Sequence, residues 1–367
     1  MNMNKLIAFA AVAASAAAAV PSLAATQTVT NTVNGTKWQL FIDTSANTVR
    51  VGPIWGNPDD STGWKNDWYA MCRALVERSF SGVQGTIEVP GKFKIDGVEY
   101  TTTAIGNRGF YQSANMSTVV LPMQASTMTF GTCAFWKCEK LENVVLKGPA
   151  TVAPGETQPY NTLTLGTDTY FGECYAVKRV LVGPNIKFNN ATSRSRFQIA
   201  KSTGTVCLLP STSANTTWVG TDLQGTDQSI LYYGLSDNRT AITFSTADAA
   251  ELIALIDFAP LVKEYLGLDT WLSITDSVTM TEEQTTALSA FGFDALAHVK
   301  FEVKDATQYA NTVAAVPGAA TVIVDPAKLR GASLAVPTGR KVIVPLPNGG
   351  KYTPTGTGKL TLPREAK

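Results

Sequence analysis

A short residue pattern occurs three times in the first half of this chain, and it restricts the possible folds more than any other feature. The copies span residues 105–121, 130–146 and 165–182, and the third has one residue inserted between its glycine and its phenylalanine. Similarity at a fixed period of about 20–50 residues is typical of solenoid proteins. Each copy is too short to bury its own apolar side, so the copies are predicted to stack on one another.

The copies share one order of residue types. A glycine precedes an aromatic residue, a small residue, a further apolar residue and a short strand. The aromatics are Phe110, Phe135 and Phe171, the small residues Ser113, Cys138 and Cys174, and the further apolar residues Met116, Leu141 and Val177. The glycine is expected where φ is positive or where backbones approach closely. Strand alternation points every second side chain inward, and rungs about 4.8 Å apart align like residues. Core packing is therefore the predicted role of the pattern.

The pattern resembles the BspA-like leucine-rich repeats of bacterial and protist surface proteins, whose unit reads roughly Ile-Gly-x-x-Ala-Phe-x-x-Cys-x-x-Leu-x-x-Val-x-Leu-Pro. The second copy matches best, at Gly131, Ala134, Phe135, Cys138, Leu141, Val144 and Leu146. The first copy has Gly109 and Ser113 in place of the alanine and the cysteine, and the third has Tyr170 in place of the alanine. The resemblance covers about residues 85–190. It implies a leucine-rich-repeat solenoid and adhesion to host or matrix components, without a catalytic set of residues.

The whole chain is predicted to be mainly β with some α. Its regions are a signal peptide (1–24), an N-terminal β capping region (25–97), the leucine-rich-repeat solenoid with degenerate last rungs (98–240) and a C-terminal α/β region (241–367). Strands at residues 28–33, 38–42 and 48–51 form the predicted cap, because a solenoid end otherwise exposes an apolar face and an unpaired edge. Residues 205–210 and 229–234 are expected to be further strands, the second of which closes the array.

The C-terminal region carries one amphipathic helix and a weaker strand periodicity. The helix is predicted over residues 246–258, capped by Ser245 or Thr246 and interrupted by Pro260. The predicted strands are Leu272–Ile274, Val299–Val303, Thr321–Val324, Lys341–Pro345 and Lys359–Pro363. The spacing favours a second stacked array, and a small independent α/β domain is the alternative.

The first residues have the organisation of an export signal. Residues 1–5 carry one positive charge, residues 6–20 are apolar, and Ala24 ends a small-x-small cleavage site. The mature protein is expected to be secreted or held at the cell surface, without membrane insertion after cleavage. The 30 basic and 29 acidic residues nearly cancel, which argues against a nucleic-acid partner. An extracellular protein or glycan is the expected partner, and the sequence does not specify an oligomeric state.

The five cysteines raise the question of disulfides in an exported chain. Cys138 and Cys174 hold the same repeat position, so they are expected one rung apart, within the range that a disulfide tolerates. The same position also suits a buried free thiol, which packs as a small hydrophobe. Packing is the favoured interpretation, and a Cys138–Cys174 disulfide is the alternative.

One segment before the repeats concentrates aromatics and carboxylates. It contains the candidate ligand-binding residues Trp55, Trp64, Asp67, Trp68 and Tyr69. Aromatics beside carboxylates suit stacking on sugar rings, whereas the alternative is a loop whose aromatics fold onto the cap. The second interpretation is favoured, and the spacing of the aspartates is not that of an EF-hand.

Catalytic signals are sparse. The single histidine, His298, excludes any site that needs two histidines, and phosphate-binding loops and Rossmann fingerprints are absent. No cofactor or metal is therefore predicted. The favoured function is a non-catalytic interaction protein whose long face binds a protein or a glycan. A secreted polysaccharide-acting enzyme or its accessory module, and a structural envelope or matrix component, are the alternatives.

Overall fold

The computed structural model describes residues 26–30, 37–51, 85–106, 109–110, 112–123, 128–131, 133–149, 153–157, 161–165, 171–188, 204–211, 229–275, 278–291, 296, 299–316, 320–345, 351–353 and 358–362. The strands are β1 (Thr26–Thr30), β2 (Lys37–Asp43), β3 (Thr48–Val51), β4 (Gly85–Glu88), β5 (Lys92–Ile95), β6 (Val98–Ile105), β7 (Met116–Pro122), β8 (Met128–Phe130), β9 (Asn143–Lys147), β10 (Asn161–Leu165), β11 (Arg179–Val182), β12 (Ile186–Phe188), β13 (Val206–Pro210), β14 (Ser229–Leu235), β15 (Ala241–Thr246), β16 (Asp269–Ile274), β17 (Val299–Val303), β18 (Thr321–Val324), β19 (Ser333–Val336), β20 (Lys341–Pro345), β21 (Lys351–Tyr352) and β22 (Gly358–Thr361). The helices are α1 (Ala249–Leu261), continued by a π-helical turn (Val262–Leu266), α2 (Glu282–Ser289) and α3 (Ala306–Ala315). The prediction of a mainly β chain is confirmed.

Each repeat contributes a strand to a long sheet. Strands β4, β7, β9, β11, β13 and β14 are parallel neighbours, in the order in which they occur in the chain. The register aligns equivalent residues, so Val119 faces Val144, which faces Val180. Strands β8, β10 and β12 alternate with these strands along the chain. They pair in parallel in a second sheet, which also contains β1, β2, β3 and β6. The predicted cap strands are thus present, and they extend the second sheet.

The aromatic residues of the repeats form a stack between the two sheets. The ring centroids of Phe110 and Phe135 are 5.2 Å apart, and those of Phe135 and Phe171 are 4.8 Å apart, with the rings nearly parallel in both pairs. All three side chains are fully buried. The aromatic position of the repeats therefore packs in the core, as the sequence predicts.

The backbone conformation of the repeats departs from the expectation for glycine. Positive φ occurs at Gln112, Lys137 and Glu173, one residue before the small residue of each copy. Gly106, the repeat glycine of the first copy, does not adopt positive φ, and a Cβ there would meet no atom closer than 3.5 Å. Gly109, at the alanine position, has no room for a side chain, because a Cβ there would lie 2.7 Å from a side-chain carbon of Ile105. Close packing thus requires the glycine at the alanine position, and longer side chains occupy the left-handed position.

The Cys138–Cys174 disulfide is not formed. Both cysteines are free and buried, and each thiol donates to the carbonyl of the phenylalanine one rung earlier, Cys138 to Phe110 at 3.0 Å and Cys174 to Phe135 at 2.9 Å. Burial raises the pKa of Cys138 well above 9.0, so the reactive thiolate is suppressed. The favoured packing interpretation matches this geometry.

The long sheet continues into the C-terminal region. Strand β14 does not close the array, because it pairs with β15 in antiparallel orientation. Strands β15, β16, β17, β18 and β20 then follow as parallel neighbours, and β21 ends the twelve-stranded sheet. The C-terminal strands therefore extend the repeat sheet. The last predicted strand is an exception, since β22 pairs only with β19 in a separate two-stranded sheet.

The reversal between β14 and β15 explains why the core changes sides. Crossovers between parallel strands are almost always right-handed. The strands advance across the sheet in one direction throughout, while their own direction reverses at β15. A right-handed crossover must then lie on the opposite face. Accordingly, the second sheet covers one face of the repeat strands, whereas the C-terminal helices pack on the other face.

Helix α1 extends beyond its predicted end. Asp248 is the N-cap, and its side chain accepts from the backbone N–H groups of Ala250 and Glu251, so the predicted caps Ser245 and Thr246 were wrong. Pro260 lies inside the helix. It removes one backbone hydrogen bond, but the chain continues as a π-helical turn in which Val262 and Tyr265 are buried.

Candidate binding surface

The candidate ligand-binding residues from the sequence lie outside the described residues. Trp55, Trp64, Asp67, Trp68 and Tyr69 all fall between residues 52 and 84. His298 and the signal peptide are also outside them. These assignments stay predictions.

The face of the repeat strands that points away from the phenylalanine stack is covered. Val120, Val145, Leu181 and Leu208 alternate with the residues that face the phenylalanine stack, and all four are fully buried. They belong to a second core cluster, together with residues of α1 and the π-helical turn: Leu252, Leu255, Ile256, Phe258, Ala259, Val262 and Tyr265. Helix α1 contacts β11, and the π-helical turn contacts β9. The long face of the repeats is thus occupied by the chain itself.

A polar ladder fixes the helix at one end of this covered face. Thr118, Asn143 and Arg179 are aligned on β7, β9 and β11. Asn143 accepts from Arg179 at 2.8 Å and donates to Thr118 at 3.0 Å. Arg179 also makes a two-pronged ion pair with Asp257 of α1, at 2.5 and 3.1 Å. This geometry specifies how α1 crosses the repeat strands.

The C-terminal half of the same sheet has a face that neither core cluster includes. We call it the open face, and its residues are Thr243, Ser245, Trp271, Ser273, Lys300, Glu302, Thr321, Ile323, Lys341 and Ile343. Two rows run across the strands, one through Thr243, Trp271, Lys300, Thr321 and Lys341, the other through Ser245, Ser273, Glu302, Ile323 and Ile343. Apart from buried Ser273, these residues are half-buried or exposed. The open face is the sheet surface of the described residues that most resembles a binding surface.

Trp271 is the one large aromatic on the open face. The ammonium of Lys300 lies 5.9 Å from the centre of its ring, within the range of a cation–π contact. The indole N–H is buried and has no acceptor among the described residues. The residue therefore presents ring surface, and not its N–H, on this side of the sheet.

An ion-pair cluster at Asp269 holds Lys300 beside the tryptophan. Asp269 accepts from Lys300 and, at 3.0 Å, from Lys263 of the π-helical turn. Partial burial alone would raise the pKa of Asp269, but hydrogen bonds from Lys300 and then Lys263 outweigh it, so that the pKa lies below its ordinary value of 3.8. The cluster is a structural brace with a net positive charge.

We expect Asp269→Asn to lower the thermal midpoint at neutral pH, because both ammonium groups lose their charged partner. A carboxyl with a lowered pKa in the folded state stabilises the fold above its unfolded value and loses that contribution as the pH falls through the folded pKa. The difference from the parent protein should therefore be constant well above pH 3.8 and shrink below it. Thermal melts across that range measure it, with exposed Glu139→Gln as the control. A difference that persists in acid would assign the loss to packing.

Glu302 is the other charged residue at the centre of the open face. No hydrogen bond or ion pair joins its carboxylate to a described residue. Burial raises the pKa of Glu302 above its ordinary value of 4.5; Lys304 and Lys328 oppose this shift, and Asp325 and Asp237 add to it. This half-buried carboxylate thus receives no hydrogen bond from the part of the chain that the structure describes.

The described residues also bear on metal binding and on membrane crossing. No group of three or more histidine, cysteine, aspartate or glutamate side chains in these residues is arranged to hold a metal ion. Within the same part of the chain, no helix combines the length and the apolar character that crossing a membrane requires.

Comparisons with known proteins contribute little to these observations. No family model matches the chain, and no curated protein matches it. Among the solved structures, a leucine-rich cell surface protein from Faecalibacterium prausnitzii is 11% identical, with 82% of this chain and 89% of that chain covered and a TM-score of 0.21. A TM-score this low does not establish a shared fold.

The sequence contained a signal for the open face that spacing alone did not reveal. Strands β17 and β20 alternate charged or half-buried residues with buried ones, which indicates a sheet with one solvated face. The proximity of Trp271 to Lys300 depends on strand register, because the two residues are far apart in the chain.

Proposed function

We propose that this chain is an exported, non-catalytic interaction protein, built as a leucine-rich-repeat solenoid whose C-terminal strands continue the array. Stacked repeats create extended surfaces that suit binding to large partners. The parallel, in-register pairing of equivalent repeat strands and the phenylalanine stack support the solenoid. Its export is supported by the signal-like first 24 residues.

The observation that carries the binding role is the contrast between the two faces of one sheet. The repeat half is covered on both faces, whereas the C-terminal half has polar, aromatic and charged residues on a face that no core cluster includes. An extracellular protein or glycan is the proposed partner. The open face and the segment containing Trp64 and Trp68 are the two locations at which it would bind.

The experiment is a binding array of extracellular-matrix proteins and glycans, probed with the chain from Ala25 onward. The double variant Trp64→Ala/Trp68→Ala and the single variant Trp271→Ala are run beside it. We expect reproducible binding that one of the two variants removes. Binding that neither variant affects would move the site elsewhere, and no binding to any immobilised molecule would contradict the proposed function.

A further inference from the structure

The open face combines an aromatic ring, several hydroxyl groups and a carboxylate. It has the ring of Trp271, the hydroxyls of Ser245, Thr243 and Thr321, and the carboxylate of Glu302, which has no hydrogen-bond or ion-pair partner among the described residues. The two isoleucines of its second row, Ile323 and Ile343, provide apolar surface beside that carboxylate.

The charges on this face decide which ligand it fits. Lys300 shares the single carboxylate of Asp269 with Lys263, so this cluster keeps one positive charge. Lys341 opposes the approach of a basic segment, while Glu302 opposes an anionic ligand. Charges of both signs thus lie on this face, so electrostatic attraction does not single out a nucleic acid, an acidic glycan or a basic peptide.

We infer that the open face binds a neutral glycan, with its sugar rings against Trp271 and its hydroxyl groups donating to Glu302. This inference rests on the proposed function, of which it specifies the location and the ligand class. A carboxylate that accepts hydroxyl hydrogen bonds forms the stronger, charge-assisted kind. An uncharged polyhydroxyl chain supplies such donors without placing a second charge on the face, and the rows of the sheet let it extend across successive strands.

Glu302 provides the sharpest test, because removing its charge should weaken ligand binding without lowering the stability of the fold. Because burial raises the pKa of Glu302, the ionised carboxylate destabilises the folded state. The protonated carboxyl group stabilises the fold fully below the ordinary pKa of 4.5, and this contribution is lost as the pH rises through the folded pKa. Glu302→Gln should therefore leave the thermal midpoint at pH 7 unchanged or raised. A purely structural residue would not lose binding while the protein becomes no less stable.

The experiment measures binding of the chain from Ala25 to neutral polysaccharides and, separately, to polyuronates and sulfated glycans. The variants are Glu302→Gln and Trp271→Ala, and Glu139→Gln, which removes an exposed carboxylate on the repeat array, is the matched control. We expect binding to a neutral polysaccharide that changes little with salt concentration. Glu302→Gln should weaken it by about tenfold or more, as expected for a lost hydrogen bond to a charged group. Trp271→Ala should abolish it, and Glu139→Gln should leave it unchanged.

The other outcomes are distinguishable. Preference for acidic glycans, or neutral binding that survives Glu302→Gln, would overturn the inference and leave the proposed function intact. The same holds if only matrix proteins bind. If Trp271→Ala fails to fold, Glu302→Gln still decides the matter. Absence of any binding in both arrays would contradict the proposed function as well.

Discussion

Replacing Phe135 with alanine is expected to lower the free energy of unfolding by about 3–5 kcal/mol, the usual cost of truncating a buried phenylalanine. Its ring lies between those of Phe110 and Phe171, at 5.2 and 4.8 Å, and is fully buried. Phe130 adds an edge contact at 5.9 Å. The cavity would therefore interrupt the stack at its middle rung, where neither neighbour can close the gap without leaving its own rung.

Denaturant unfolding of the purified chain measures this loss. Tyr175→Ala is the matched control, because Tyr175 is an aromatic of the same array but 53% exposed, and its removal should change stability by about 0.5 kcal/mol or less. Equal effects of the two substitutions would mean that the phenylalanine stack does not hold the repeats together.

Placing an aspartate at Leu181 is expected to destabilise the protein by about 4 kcal/mol or more, the upper end for a single substitution. Leu181 is fully buried in the cluster that includes α1. A carboxylate there would lack both water and a cation at its own level of the strand, because Arg179 is already paired with Asp257. The helix would have to separate from the sheet to hydrate it.

The same substitution at Ile323 provides the comparison. Ile323 also lies on an interior strand of this sheet, but on the open face, where it is only half-buried. Ile323→Asp should cost about 1 kcal/mol, the span of strand preferences. Denaturant unfolding of both variants measures the contrast, and a Leu181→Asp variant as stable as Ile323→Asp would show that α1 does not cover the repeat strands.

Sequence reasoning anticipated the features that recur. Equivalent residues such as Phe110 and Phe135 stack because the strands before and after them pair in register, and that register follows from the repeat itself. The strands at Val299–Val303 and Thr321–Val324 were predicted with the bounds that the structure has. The first alternates apolar and charged residues and the second is a β-branched run, and both patterns are local signals.

The covering of the repeat face was missed although the sequence indicated it. Val144, Val145 and Leu146 are consecutive apolar residues, and all three are buried. A strand with one solvated face alternates, whereas a continuous apolar run is typical of a parallel strand that is buried on both faces. The identity of the covering element still depends on tertiary packing, because α1 lies far along the chain from β9 and β11.

The change of side at β15 depends on a short turn. Residues 236–240 separate two apolar strands, and Asp237 and Asn238 are common turn residues. Asn238 accepts from the Ser236 and Thr240 hydroxyls, each at 2.8 Å, and Arg239 adopts a φ of 55°. The segment was treated as the end of the array, so the hairpin that reverses the strand direction was missed, and the open face with it.

The central claim is that one sheet is covered on both faces in its repeat half, whereas its C-terminal half keeps the open face, and site-resolved thiol labelling tests it most directly. The chain from Ala25 is prepared with Val145→Cys or Ile343→Cys, and each position is followed by mass spectrometry under native conditions. We expect the cysteine of the Val145→Cys variant to react only as fast as the protein unfolds, and that of Ile343→Cys to react rapidly. Equal reactivity of the two positions would contradict the account.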